Sequence, residues 1–425
     1  MNHAIITLIT LGIMTIFFVN EKIPLALTSM LGATFLALTG ILPIDQLFSA
    51  LSGSTIVLIA AMMVVGSTLF HTGIAEKISE ALVKVTGTSE NGILIAVVLT
   101  AIIISSVTSG VAVVAMLLPI VIGMCQKSNV SVSRMLIPLA FAASVGGNLT
   151  LLGAASNVVV NGQLEQLGAT PLSFLEIGKV GLPISIVFTI FFLTIGKRFL
   201  TSGDSSDEEY LKAYMGQVDG TVKEYDHKRG MLSLIILGII IIVMMWNNSR
   251  FPMHLVAATG ALIMVLTNCI SEKEAYKSID MSTIFIVAGM SAVSKAMDIS
   301  GAGQLISDSV VKVVGDSPNK LFVLAVVFIL TTLLTNIMMN TSTALLLTPI
   351  FFPIAVNIGL NPTAVAVAIC VAASSPFLTP VGSGTNTLVV KPGNLGFKDF
   401  FIPGLGVTVL LTIVSLIFIP LIWPL

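Results

Sequence analysis

The chain has 425 residues, of which 55% are hydrophobic and only 10% are charged, and its mean hydropathy is +1.04. A soluble domain carries about 25% charged residues, so this composition excludes that class and indicates a polytopic α-helical membrane protein. The net charge of −1 gives no reason to expect a nucleic-acid partner, and the three scattered cysteines fit neither a disulfide framework nor a metal cluster.

The first half of the chain, 1–200, opens with an apolar run at 4–19 that lacks a basic flank and a small-residue cleavage site. A secretory signal needs both features, so the run predicts a retained helix. The apolar runs of this half predict five crossing helices and one re-entrant hairpin. After the first helix these are helices at about 25–42 and 55–71, the hairpin at 92–124, a broken helix at 133–161 and a closing helix at 176–199.

The segment 201–230 is the only long polar stretch, and it predicts a linker with a short surface helix around Glu208–Val218. The second half, 231–425, repeats the order of the first. Its predicted elements lie at 231–246, 254–270, 283–298, 321–355 (the hairpin), 364–390 (broken) and 402–424. Ser54–Ile78 aligns without gaps to Ser282–Ile306, which indicates an internal repeat.

The number of crossings in each half sets its orientation in the membrane. Five is odd, so the second half must insert upside down relative to the first, as in the inverted repeats of secondary transporters. Most of the 20 Lys and Arg residues fall on the side of the linker. The positive-inside rule therefore predicts a cytoplasmic linker and outward-facing termini, in the plasma or inner membrane of the cell.

Polar, glycine-rich breaks interrupt the apolar pattern at corresponding places in both halves. Two lie in the broken helices, at Gly146–Gly162 and Ser374–Val390, and two in the hairpins, at Ile104–Ile120 and Leu333–Ile350. Non-helical backbone at membrane depth is tolerated only where protein or a water-filled cavity satisfies it. Paired breaks of this kind indicate a transporter binding site at the membrane midplane.

The side chains at these breaks are neutral and polar, and almost no charge falls inside the predicted spans. Hydroxyl and amide oxygens can coordinate Na⁺, and hydroxyls and amide N–H groups can donate to an anion. The alternative interpretation is that single Ser and Thr residues bond back to their own helix or pack between helices. Asn157 and Asn386 favour a site more strongly, because a buried Asn without a partner costs about 1–3 kcal/mol.

Two motifs, MNTSTALLLTP (Met339–Pro349) and TPVGSGTNTLVVKPG (Thr379–Gly393), resemble the divalent anion–sodium symporter family of the ion transporter superfamily. The tail GFKDFFIPGLGV looks especially like the sulfate and dicarboxylate permeases of that group. The resemblance covers nearly the whole chain. It implies a homodimer with a scaffold domain and a mobile transport domain, a substrate between two hairpin tips, and two flanking Na⁺ sites. It implies no cofactor other than Na⁺ as the coupling ion.

The family has a Ser-Asn-Thr signature at each hairpin tip. In the second half it falls on Met339, Asn340 and Thr341, so Asn and Thr are kept; in the first it falls on Ser109, Gly110 and Val111, so only Ser is kept. The resemblance therefore implies a weakened first Na⁺ site. We expect substrate contacts from Ser109, Gly110, Asn157, Asn340, Thr341, Thr385, Asn386 and Thr387, and Na⁺ contacts from Ser105, Ser106, Asn148, Gly153, Thr335, Asn340 and Gly382.

The function predicted from these features is Na⁺-coupled, elevator-type transport of a divalent anion, either a C4-dicarboxylate or sulfate. Within transport, an anion exchanger or a proton-coupled permease of the same fold stays open. An intramembrane enzyme would need paired Asp residues or a suitable His in a span, whereas all four histidines fall at loops or helix ends. A channel explains two inverted halves less well than a transporter, so we expect a transporter and no enzymatic activity.

Overall fold

The computed structural model describes residues 3–20, 22–87, 89–128, 130–200, 227–246, 250–314 and 319–425, and within these ranges it contains helices and no strands. Five helices are long and apolar enough to cross a membrane: Ser54–His71, Gly110–Ser128, Lys228–Met245, Met281–Ser300 and Phe397–Ile422. Shorter apolar helices accompany them. The prediction of an all-α, multi-pass membrane protein is therefore confirmed. Most of the linker, including the helix predicted at Glu208–Val218, lies outside the described residues.

The helices of the first half follow the predicted order. They are α1 (His3–Asn20), α2 (Leu25–Leu38), α3 (Ser54–His71), α4 (Ile74–Thr86), α5 (Glu90–Ser105), α6 (Gly110–Ser128), α7 (Val132–Gly146), α8 (Ala155–Gln166) and α9 (Gly178–Thr194). The predicted hairpin corresponds to α5 and α6, joined at 106–109, and the broken helix to α7 and α8, joined at 147–154.

The second half has the same order of elements with one additional short helix, α12 (Glu272–Ser278), where the first half has 3-10 turns at Ile44–Gln46 and Ser49–Ser52. Its helices are α10 (His227–Met245), α11 (Met253–Leu266), α12 (Glu272–Ser278), α13 (Met281–Ser300), α14 (Ala302–Val314), α15 (Lys320–Thr335), α16 (Asn340–Asn357), α17 (Pro362–Ala373), α18 (Gly384–Val390) and α19 (Phe397–Ile422). Its hairpin is α15 and α16, joined at 336–339, and its broken helix is α17 and α18, joined at 374–383.

The short helices α4 and α14 were not among the predicted elements. Their sequences, IAEKISEALVKVT and AGQLISDSVVKVV, place apolar residues three and four apart between polar ones. Such a pattern is typical of an amphipathic helix rather than of a membrane span. A search for long apolar runs therefore passes over both.

The packing partners in one half have counterparts in the other. The first helix of each hairpin packs on the first part of its own broken helix, α5 on α7 and α15 on α17. The second helix of each hairpin packs on the last part of the other half's broken helix, α6 on α18 and α16 on α8. The hairpins and broken helices of the two halves are therefore interleaved rather than side by side.

The buried apolar side chains form two clusters. One draws on α5–α9 and α15–α19, where the rings of Phe141 and Phe377 lie 4.8 Å apart. The other draws mainly on α1–α3 and α10–α13. Residues of α8 and α16, such as Val158 and Leu345, belong to the second cluster, so these two helices form the seam between the clusters.

Candidate functional site

Asn157 and Asn386 hold the two unwound segments of the broken helices in shape. Both side chains are fully buried, and each amide nitrogen donates to two carbonyl oxygens of the segment that precedes its own helix. The bonds are Asn157 to Gly147 (2.9 Å) and Thr150 (3.3 Å), and Asn386 to Pro376 (2.6 Å) and Thr379 (2.9 Å). Carbonyls that the break in each helix leaves unpaired thus gain a donor.

Hydroxyl groups tie each hairpin to its own broken helix. The last residue of each hairpin's first helix, Ser105 or Thr335, donates to the carbonyl of Ala143 or Ala373 respectively. In return, Thr150 donates to the carbonyl of Ser106, and Thr379 to that of Asn336, the latter at 2.9 Å. These bonds make Ser105 and Thr335 structural links as well as candidate ligands, and they make Thr150 and Thr379 structural links.

The two broken helices touch each other at their free ends through paired hydroxyls. Ser144 Oγ lies 3.2 Å from Thr385 Oγ1, and Ser156 Oγ lies 3.1 Å from Ser374 Oγ. Four helix ends, those of α7, α8, α17 and α18, therefore converge on one buried polar region. Sequence analysis did not select Ser144 or Ser374, although each sits just before a glycine-rich or proline-containing break, which is a signal that could have found them.

Tip one, residues 106–110, reaches the start of α18. A Cβ atom at Gly110 would lie 3.0 Å from the Ala143 carbonyl oxygen and 3.2 Å from the Thr385 Cγ2 methyl. Contacts this short leave little room for any larger side chain. Gly110 therefore allows the close approach of the hairpin to α18, and the Ala143 carbonyl and the Thr385 methyl fill the space that a larger residue such as Asn would need.

Tip two, residues 336–340, presents an amide in the equivalent place. Asn340 Oδ1 accepts a hydrogen bond from Thr335 Oγ1 at 3.0 Å, and the same hydroxyl lies 2.6 Å from the Ala373 carbonyl. A hydroxyl has one proton to share between these acceptors, so the amide oxygen of Asn340 retains accepting capacity. Beside it, the buried Ser342 hydroxyl has no hydrogen-bond partner in the described structure.

Three polar atoms at the break of the first broken helix are also buried and unpartnered within the described residues: both side-chain atoms of Asn148 and the amide oxygen of Asn157. A buried polar atom without a partner costs about 1–3 kcal/mol. Asn148 is completely buried and stands directly after Gly147, whose carbonyl accepts from Asn157. The amide oxygens of Asn148 and Asn157 are suited to a cation or a water, and the amide nitrogen of Asn148 is suited to a water or another acceptor.

The remaining candidates are placed around these centres. A Cβ atom at Gly153 would lie 2.7 Å from the Gly147 carbonyl oxygen and 2.8 Å from that of Ser105, so Gly153 is closely packed. Gly382 donates its N–H to Thr379 Oγ1 at 2.9 Å. Ser106 and Thr387 bond back to backbone carbonyls, at 2.7 Å for Ser106 to Ile103 and 3.1 Å for Thr387 to Ser383. For these two hydroxyls the structure shows the bonding that the alternative interpretation described. Ser109 is exposed and Thr341 half-buried.

The site is neutral. None of the residues named above is ionisable, and no group of three or more His, Cys, Asp or Glu side chains suited to a metal occurs in the part of the chain that the structure describes. An ion bound here would be held by amide, hydroxyl and carbonyl oxygens. Such ligands suit hard cations rather than transition metals.

Comparisons with known proteins give a consistent picture. The family model described as "Citrate transporter" matches residues 15–310 and 239–424. The sodium-dependent dicarboxylate transporter SdcS of Staphylococcus saprophyticus is 21% identical over 438 residues, which covers 96% of this chain and 83% of that protein. An uncharacterized transporter of Synechocystis is 34% identical over 172 residues, which covers 40% of this chain. The match spans only 28% of that relative, and 30% of the uncharacterized transporter YfbS of Escherichia coli.

Solved structures of transporters share the fold. The YdaH transporter of Alcanivorax borkumensis matches with a TM-score of 0.66 at 15% identity, over 89% of this chain and 88% of that one. MtrF of Neisseria gonorrhoeae, described within a class of antimetabolite efflux pumps, matches with a TM-score of 0.61 at 13% identity, over 89% and 82%. The resemblance seen in the sequence motifs is confirmed by the family match, which extends over almost all residues: the chain belongs to the citrate transporter family, within the ion transporter superfamily.

Proposed function

We propose that this secondary transporter carries divalent anions, C4-dicarboxylates or sulfate, and that Na⁺ drives the uptake. The observation that supports this most is the convergence of four helix ends on a buried, neutral, polar region that retains unpartnered oxygens. The sodium-dependent dicarboxylate transporter SdcS, related along nearly the whole chain, supports the choice of ion and substrate class. We expect no enzymatic activity.

The anion would lie between tip one and tip two. Hydroxyl and backbone N–H donors there come from Ser109, Gly110 and Thr341, with Thr385 contributed by α18. Thr387 already donates its N–H and its hydroxyl to the Ser383 carbonyl, so it would contact the anion only after giving up one of these bonds. Asn157 and Asn386 already use their amide N–H groups inside the unwound segments. We therefore propose that these two residues shape the binding site and offer the anion no donor. Hydroxyls and N–H groups respond to the charge of an anion more than to its carbon skeleton. The site therefore favours anions as a class rather than one particular anion.

Na⁺ would bind near each tip through neutral oxygens. In the second half we propose Asn340, Thr335 and the backbone at Gly382. In the first half we propose Asn148 with Ser105, Ser106 and the backbone at Gly153. The unpartnered amide atoms of Asn148 and the half-satisfied oxygen of Asn340 support this assignment.

The two halves would be inverted repeats, 1–200 and 231–425, with a cytoplasmic linker. The recurring packing partners and the matched hydrogen bonds of Asn157 and Asn386 support a repeat. We also propose an elevator motion, in which the hairpins, broken helices and closing helices move against a scaffold of α1–α3 and α10–α13, as a homodimer. The separation of the buried side chains into two clusters supports that division.

One alternative has its own support. Tip one lacks the amide that tip two has, and a site with a single strong cation-binding tip suits an anion exchanger or a proton-coupled permease of the same fold. The close contact of Gly110 with Thr385 and Ala143 is the observation that favours it.

Reconstituted protein in liposomes tests these functions. We expect labelled succinate or sulfate to accumulate under an inward Na⁺ gradient, with citrate and a monovalent anion as comparison substrates and protein-free liposomes as the control. Uptake that follows a proton gradient or trapped counter-anion instead would establish the alternative. Failure of succinate, sulfate and citrate to move under all three conditions would contradict the proposed substrate class.

A further inference from the structure

Helix α16 contains a proline at 349, and this proline leaves one buried carbonyl without its helical partner. In a regular helix the N–H of residue 349 would donate to the carbonyl of Leu345, four residues earlier. Proline has no N–H. Leu345 is completely buried, so water cannot supply the missing donor.

A side chain of the other half supplies it. Gln163 Nε2 on α8 donates to the Leu345 carbonyl oxygen at 3.0 Å. Gln163 is 1% exposed, and its own amide oxygen has no partner among the residues described. A glutamine that leaves its buried oxygen unpaired is held at this position for its donor, so the bond to Leu345 is the role that the structure gives it.

The bond joins α8 and α16, both of which begin at the proposed binding region. α8 begins at Ala155, next to the Ser156–Ser374 contact, and α16 begins at Asn340. With a rise of about 1.5 Å per residue, Gln163 lies about 12 Å along α8 and Leu345 about 7.5 Å along α16. The side chain therefore fixes the direction of the first turns of α16, which carry tip two, relative to α8.

The corresponding pair of helices, α18 of the second half and α6 of the first, shows no equivalent of this bond among the described residues. The position related to Gln163 by the spacing between Asn157 and Asn386 is Pro392, which has no side-chain donor. α6 also contains a proline, Pro119, but its freed carbonyl belongs to Ala115, which is exposed. The side-chain donor thus serves the second hairpin, where the freed carbonyl is enclosed by protein.

We propose that Gln163 is a positioning residue: by satisfying the carbonyl that Pro349 frees, it locks α16 to α8, so that tip two keeps its place at the ion and substrate site while the two helices move as one body. The inference rests on the proposed function, because it assigns tip two a place in binding. It goes beyond that function in assigning a role to a residue that touches neither ligand.

A double-mutant cycle between Gln163→Leu and Pro349→Ala tests the lock. Gln163→Leu should raise the KM for Na⁺ and anion about tenfold, the effect of stranding one buried polar group, with a smaller change in kcat. Pro349→Ala restores a backbone N–H for Leu345, so in that background Gln163→Leu should change KM less than about twofold. Pro119→Ala is the matched control and should give no rescue. Additive effects at Gln163 and Pro349 would overturn the proposal.

A further measurement separates this proposal from the proposed function. Met339, beside Asn340, is half-exposed, whereas the three native cysteines are buried; maleimide labelling of Met339→Cys thus reports the freedom of tip two without any transport. The labelling rate should rise with Gln163→Leu or Gln163→Glu, and the addition of Pro349→Ala should bring it back to the wild-type value. If the labelling rate responds in this way but the protein transports none of the anions, the proposed function is wrong and the positioning role of Gln163 still holds. Labelling unchanged by Gln163→Leu or Gln163→Glu would sink the lock, whether or not transport is normal.

Discussion

The two hairpin tips hold equivalent places in the molecule but differ in where the amide side chain sits. Tip two has Asn340, and tip one has Gly110 in its place. In the loops inside the broken helices, the amide is found in the first half instead. The first broken helix has Asn148 directly after the carbonyl that Asn157 binds, whereas the second has Phe377 directly after the carbonyl that Asn386 binds. Each half therefore has an amide at one of these two compared positions, but on a different element.

Packing accounts for this exchange. The backbones of Asn148 and Phe377 are placed alike, because the carbonyl of each would lie 2.0 Å from a Cβ at a glycine of the closing helix, Gly181 or Gly404. The Phe377 ring fills its space against Phe141 at 4.8 Å. A Cβ atom at Gly110 would lie 3.0 Å from a backbone oxygen and 3.2 Å from a methyl group. The two proposed cation sites are therefore unequal and should respond differently to matched substitutions.

Removing the shared feature should have the largest effect. Asn157→Ala and Asn386→Ala each strip a donor from two carbonyls of an unwound segment. At about 1–3 kcal/mol for each stranded group, we expect transport to fall more than tenfold and the melting temperature to fall in both variants. Similar losses in the two would support equivalent roles; a normal transport rate in either would remove that residue from the site.

The tips themselves should differ. Asn340→Ala removes the amide oxygen proposed for Na⁺ and should weaken Na⁺ activation about tenfold, corresponding to roughly 1.4 kcal/mol. Gly110→Asn should not strengthen it, because the new Cβ meets the Ala143 carbonyl and the Thr385 methyl. Initial transport rates against Na⁺ concentration measure both effects. A gain in Na⁺ affinity with Gly110→Asn would contradict the packing argument.

How far the sequence could predict this structure depends on the kind of signal. The helix order followed from long apolar runs, and the breaks at 106–109, 147–154, 336–339 and 374–383 from polar segments, because both are local patterns. The importance of Asn157 and Asn386 was also visible, as buried amides at matching positions. Their use as donors within their own segments was not, because it depends on how the backbone unwinds. The Ser144–Thr385 and Ser156–Ser374 contacts join residues far apart in sequence, and no local pattern encodes them.

Asn148 should show a trade-off between stability and function. Asn148→Leu replaces two unpartnered buried polar atoms by an apolar side chain of similar size, so we expect a gain of about 1 kcal/mol in the free energy of unfolding. Transport should fall, because the proposed first Na⁺ site loses its amide. Thermal unfolding in detergent with and without Na⁺ measures the first effect and any loss of Na⁺ stabilisation.

Phe377→Leu is the matched control for Asn148. It should lower stability by leaving a cavity against Phe141 while leaving Na⁺ stabilisation unchanged. If Asn148→Leu lowered stability and kept full Na⁺ dependence, the amide would be a packed structural group and the exchange between the halves would have no bearing on the cation.

The smallest expected effect concerns the acidic residues at the starts of the two closing helices α9 and α19, which also differ between the halves. Asp399 bonds locally to the N–H of Gly396 at 2.7 Å. Glu176 instead joins the first half to the end of the chain: it accepts from Ser173 Oγ at 2.6 Å, Lys179 Nζ at 2.7 Å and Trp423 Nε1 at 3.1 Å. Burial acts to raise the pKa of Glu176, but the hydrogen bonds from Lys179 and Ser173 and the charge of Lys179 outweigh it, so the pKa lies below its usual value.

A carboxyl group with a lowered pKa in the folded state stabilises the fold above its unfolded pKa, about 4.3 for Glu, and loses that contribution as the pH falls through the lowered folded value. We therefore expect Glu176→Gln to lower the melting temperature slightly at pH 7 and to melt like the wild type in strong acid. The effect is small because the group is partly exposed and solvent screens its ion pair. Trp423→Phe removes only the indole donor and should give a smaller shift in the same direction. A difference that widened as the pH fell below 4 would mean that the protonated form of Glu176 makes the stronger contact with Trp423, which would reverse the sign of this contribution.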